Sequence, residues 1–149
     1  MTVLDEKIRQ LEVDALTSAD VNSYKVDCKD LYSTYFYVDL LEFEVLNEHP
    51  RPERGDCIIN LRCGEQQIEL FIMPNAPARP TFPEARGLRH LAFSVQNVEE
   101  TVEKLTSLGI EVQPIRVDPY TGEKMTFFFD PDGLPLEIRE DFSRNCVQK

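Results

Sequence analysis

Three ionisable side chains stand in the middle of short apolar runs, where a charge or an imidazole has to be accounted for. They are Glu69 in QQIELFIM (66–73), His90 in GLRHLAFSV (87–95) and Glu137 in LPLEIRE (134–140). Successive residues of a strand face opposite sides, so Ile68, Leu70 and Ile72 share one face and Gln67, Glu69, Phe71 and Met73 share the other. In the same way Leu91, Phe93 and Val95 oppose Leu88, His90, Ala92 and Ser94, and Leu136 and Ile138 oppose Glu137 and Arg139. If the apolar faces pack on helices, Glu69, His90 and Glu137 all lie on the opposite face. A mid-strand carboxylate is costly unless a partner satisfies it. Two carboxylates and one imidazole meeting in a cavity form a donor set for Zn²⁺, Ni²⁺, Mn²⁺ or Fe²⁺, and spacing does not choose among these. Spacing also allows a plainer arrangement, with a hydrogen-bonded core histidine and two solvated glutamates. Arg62 and Arg116 would hold an anionic substrate group if they face the cavity, and are solvated surface arginines if they do not.

The elements that must position these residues repeat an order. Residues 1–20 read as a helical extension, with Leu4, Ile8, Leu11 and Ala15 at helical spacing. Residues 21–27 form a weak strand. Leu31, Tyr35, Val38 and Leu41 make a helical stripe over 29–41, and strands follow at 42–48, 57–63 and 66–73, with His49 in the loop after 42–48. Residues 74–86 hold four prolines and read as a linker. Then come a strand at 87–95, a helix at 97–108, and strands at 111–118, 124–129 and 134–140. Asn97 with Glu100 is a capping-box pair, Val98, Val102, Leu105 and Leu108 give the helix its buried stripe, and Gly109 ends it. Asp130-Pro131-Asp132-Gly133 is a turn. The expected fold class is α+β: two tandem βαβββ modules (21–73 and 87–141) sharing a cup-shaped mixed sheet with helices on the outer face. Neither module buries enough surface alone.

Composition narrows the partners. Of 149 residues, 16 are Lys or Arg and 27 are Asp or Glu, a net charge of −11 with no basic cluster for tracking phosphates, so no nucleic acid is expected. No apolar run approaches the ~20 residues of a membrane span. The charged start, MTVLDEKIRQ, does not read as a signal peptide, which points to the cytoplasm. Cys28, Cys57, Cys63 and Cys146 form no CxxC pair and are expected as reduced thiols, Cys57 and Cys63 packing as small hydrophobes.

The stretch 87–140, through GLRHLAF and FFFDPDGLPLEI, resembles the C-terminal module of the vicinal oxygen chelate superfamily, which includes glyoxalase I, bleomycin-resistance proteins and extradiol dioxygenases. It is most similar to small bacterial glyoxalase-like proteins. FYVDLLEFEV (36–45) and RPERGD (51–56) resemble the first module. The resemblance implies a cup with a divalent metal at its base, held by a His/Glu/His/Glu set. On that pattern Glu69 matches the second ligand, His90 the third and Glu137 the fourth. The first ligand departs from it. An ungapped count back from FYVDLLEF puts Asn22 at that position, and an alignment through VDALTSAD (13–20) puts Val13 or Glu12 there. An asparagine oxygen is a weak neutral donor.

Two functions follow from the resemblance. One is a metal-dependent lyase or isomerase of the lactoylglutathione lyase type, in which the metal polarises two oxygens of a small substrate, an enediolate forms, and Glu137 is the general base. The other is a non-catalytic, resistance-type protein that binds a small ligand over a degenerate metal site. An extradiol dioxygenase needs a second histidine in its iron triad, and His90 is the single candidate. A homodimer is expected of cup proteins of this kind. If Asn22 is the first ligand, Asn22→His tightens divalent-metal binding in titration calorimetry; equal affinities of the two proteins would remove position 22 from the site.

Overall fold

The computed structural model describes residues 32–140. The helical extension, the strand at 21–27, and Glu12, Val13, Asn22, Cys28 and Cys146 lie outside the described residues. The chain divides into two compact units, Met1–Ala78 and Arg79–Lys149, and the boundary falls in the proline-rich stretch. The described part is α+β, with one antiparallel and one mixed sheet. Among the described residues no helix is long and apolar enough to cross a membrane.

In the first unit a π-helix, Tyr35–Leu40, precedes β1 (Glu44–Arg51), β2 (Asp56–Cys63) and β3 (Gln66–Ile72), which pair antiparallel in the order β1-β2-β3. Of the expected stripe, Leu31 lies outside the described residues, and Tyr35, Val38 and Leu41 are only half-buried. Phe36, Tyr37 and Leu40 are buried instead. The helix is wound wide, with the Leu41 N–H donating to the Phe36 carbonyl at 3.0 Å and the Phe43 N–H to that of Tyr37 at 2.9 Å. Tyr37 meets Phe36 edge-on at 5.3 Å between centroids and Phe43 at 5.7 Å. Three aromatic rings, Phe36, Tyr37 and Phe43, gather around this wide turn.

β1 runs further than 42–48 because its hairpin with β2 closes only at Arg51 and Asp56, whose side chains form a two-bond ion pair at 2.6 and 2.8 Å. His49 therefore lies in a strand opposite Ile58, not in a loop. Pro50 is tolerated because β1 is an edge strand among the described residues. On β2, Cys57, Ile59 and Leu61 form the buried face, at 1%, 0% and 0% exposure. The apolar run reads correctly as buried, but burial is silent on redox state: Cys57 is disulfide-bonded. Cys63 is a free, half-buried thiol, and burial pushes its pKa up.

The second unit runs β4 (Leu91–Val95), helix α1 (Val98–Ser107), β5 (Arg116–Val117), β6 (Lys124–Phe129) and β7 (Pro135–Glu140), a βαβββ order. The sheet order is β4-β7-β6-β5, with β4 and β7 parallel and the other pairs antiparallel. Asn97 caps α1 by accepting the Glu100 N–H at 3.0 Å, and its own amide reaches the Glu100 carboxylate at 3.3 Å. The buried Glu140 carboxylate accepts the Val98 N–H at 3.3 Å, so the last residue of the sheet meets the positive end of the helix. Val98 and Leu105 are the buried residues of α1, with Leu136, Ile138, Phe128 and Ile110 completing the core.

Two expected strands are shorter than read. The stretch 87–90 stays outside β4. The stretch 111–118 pairs only at Arg116–Val117 and at a single Val112–Phe128 bridge. Pro114 has no N–H to give to a ladder, and Thr126 Oγ1 donates to the Gln113 carbonyl at 2.6 Å, filling that acceptor from the side.

Leu136 is fully buried at the centre of its sheet. Leu136→Ala is expected to cost about 2–5 kcal/mol and Asn97→Ala about 0.5–2 kcal/mol, both read from the midpoint of urea unfolding.

Candidate functional site

β7 is placed by the turn that precedes it. The Asp130 carboxylate accepts the Asp132 and Leu134 N–H groups at 3.0 and 2.7 Å, and Gly133 takes the left-handed φ of +80° that the turn demands. That fixes the register, setting Glu137 between Phe127 on β6 and Ala92 on β4. Ala92 is small enough to leave room for a carboxylate beside it.

Glu137 is 5% exposed. Its Oε2 lies 3.0 Å from His90 Nε2, and its Oε1 lies 3.9 Å from Arg139 Nη1. His90 sits at the entrance to β4, one residue before the strand rather than mid-strand, because β4 begins only at Leu91. It meets Phe127 edge-on at 5.4 Å. The Arg116 guanidinium lies 5.4 Å over the other part of this stack, the Phe127 ring. Arg139 is drawn away from Glu137 by an ion pair with Glu123 and a longer one with Asp118 at 3.7 Å. Those acids, Glu123 first, raise the Arg139 pKa further. The Tyr120 N–H, donating at 2.8 Å, holds the Asp118 carboxyl below the usual carboxylate range. The result is a buried carboxylate with an imidazole on one oxygen and a shared guanidinium at the other.

Glu69 belongs to the first unit. It is exposed on β3, on the face opposite Ile68, Leu70 and Ile72, directly across from Asn60. Asn60 Nδ2 donates to Asn47 Oδ1 at 2.6 Å, while Asn60 Oδ1 is buried without a partner. Arg62, on the same face, is not a free guanidinium. It is tied to Glu44 by bonds of 2.6–3.0 Å. Among the described residues, Arg116 has no ion pair and donates one long hydrogen bond, to Gln113 Oε1 at 3.5 Å. Within each unit, among the described residues, no three His, Cys, Asp or Glu side chains gather to hold a metal. His90 and Glu137 are the sequence-predicted pair brought together. Asn22 lies outside the described residues.

Reading the sequence misses Phe127 and Arg139. KMTFFF has aromatic residues on both faces, so alternation does not single out Phe127; only the Glu137 register does. Arg139 shares the Glu137 face by period two, a signal that was present.

The donor set suits a divalent ion. Neighbouring donors at ~2.0–2.2 Å from one ion stand roughly 3–3.5 Å apart, and the His90 nitrogen and Glu137 oxygen meet that spacing.

Comparison with known proteins agrees on the family. Residues 32–138 match the family model of the Glyoxalase/Bleomycin resistance protein/Dioxygenase superfamily. The chain is 48% identical over 122 residues to the uncharacterized protein YwkD of Bacillus subtilis (strain 168), covering 80% of this chain and 95% of that one. A crystal structure of a glyoxalase family protein from Enterococcus faecalis superposes with a TM-score of 0.70 at 56% identity, covering 72% of this chain and 86% of that one. A lactoylglutathione lyase from Agrobacterium tumefaciens superposes with a TM-score of 0.53 at 25% identity, covering 73% and 83%. The chain belongs to the glyoxalase/bleomycin resistance protein/dioxygenase superfamily.

Proposed function

We propose that this chain is a metal-dependent lyase or isomerase of glyoxalase type, acting on a small oxygenated substrate, with His90 and Glu137 as metal ligands. The observation that carries this reading is the buried Glu137 carboxylate with His90 Nε2 3.0 Å from Oε2. The likeness to a lactoylglutathione lyase supports it. A bound divalent ion supplies Lewis-acid polarisation of neighbouring substrate oxygens.

The chain's own residues supply the rest. Glu137 takes the proton from the carbon beside a carbonyl. His90 orients Oε2. Arg139, shared with Glu123 and Asp118, offsets the charge on Oε1 without neutralising it. Phe127 forms an apolar wall beside the imidazole.

Metal analysis after metal-replete expression tests this. One divalent ion per chain is expected, and Glu137→Gln, which keeps the shape and removes the charge, should weaken binding at least tenfold, about 1.4 kcal/mol. Protein that takes up no metal from Zn²⁺, Ni²⁺, Mn²⁺ or Fe²⁺, or equal affinity in the variant, would overturn the reading and leave a binding protein without metal chemistry.

A further inference from the structure

Residues 79–89 and the start of β7 line a half-open pocket of about 260 Å³. It is lined by Arg79, Arg86 and Arg89, by the acid Glu84, and by apolar surface that includes Leu88 and Pro135. All of it belongs to the second unit. Three arginines against one acid is a local reversal of sign in a chain of net charge −11.

The three guanidinium groups are used differently. Arg79 Nη2 donates to the Leu88 and Arg89 carbonyls at 2.8 and 3.2 Å, which clamps the segment on itself. Its Nε is buried with no acceptor, a state natural proteins rarely leave unanswered. Arg89 is paired with Glu84, so the single acid in the lining is already spent. Arg86 has no ion pair among the described residues. The pocket thus offers one guanidinium without an ion pair among the described residues, beside apolar surface. The fork of an arginine fits a carboxylate or a phosphate.

We propose that this pocket binds a small oxyanion, a carboxylate or a phosphate group on a compact organic body, with Arg86 as its principal partner. The lining includes neither His90 nor Glu137, and the binding needs no metal.

Titration calorimetry on the full chain, stripped of metal with EDTA and kept at low ionic strength, reads it directly. Inorganic phosphate and pyruvate are the probes. Saturable binding of at least one is expected, weakened at least tenfold by Arg86→Ala, more by Arg86→Glu, and partly restored by Arg86→Lys. Arg86 is exposed, so these variants should keep the wild-type unfolding midpoint. Phosphate binding without pyruvate binding assigns a phosphate-bearing ligand, and the converse a carboxylate. No saturable binding of either, or wild-type affinity in Arg86→Glu, overturns the proposal. Because the protein is metal-free, failure here leaves the metal reading untouched, and loss of metal binding leaves this one untouched.

Discussion

A carboxylate buried in the middle of a sheet strand is tolerable only if cationic or donor groups surround it. Glu137 sets that demand in the second unit. His90 answers it from the entrance of β4, and Arg139 answers it from two residues along the same strand. The Asp130 turn precedes β7 and makes none of these contacts, yet it decides the register in which they occur. A one-residue slip would turn Glu137 into the apolar core against α1 and move Leu136 to the open face. The core and the candidate site are thus held by the same hydrogen-bond ladder.

The opposite face of β7 shows a related balance. Glu140 is also a buried acid, but it is answered by the backbone N–H at the start of α1 rather than by a side chain. The strand therefore carries two buried carboxylates on opposite faces, one satisfied by helix geometry and the other by groups that a ligand can displace. Structural burial and chemical availability separate within six residues of one strand.

Much of this was legible in the sequence. Period-two alternation put Glu69, Ala92, Ser94 and Glu137 on the faces they occupy, and the Asn97–Glu100 pair marked the start of the helix. The strand at 111–118 was over-read because alternation does not register the missing N–H of Pro114. The helix at 35–40 was misphased because it is wound wider than the 3.6-residue period. His49 was misplaced because a proline next to it reads as a loop, although an edge strand accepts one. Arg62 was offered to a substrate because a sequence does not show that Glu44 already holds it. The disulfide at Cys57 is a fact of chemistry that a buried apolar pattern does not encode.

The parallel pairing of β4 with β7 joins the first strand of the second unit to its last. The Val98–Glu140 bond spans 42 residues, and the His90–Glu137 contact closes a loop of comparable length. Each closes a loop that contains α1, β5 and β6, so the candidate site belongs to one of the longest closures of the unit. Anything bound at His90 and Glu137 would hold that closure shut, and occupancy would appear as slower local opening of β4 and β7 rather than as a new shape.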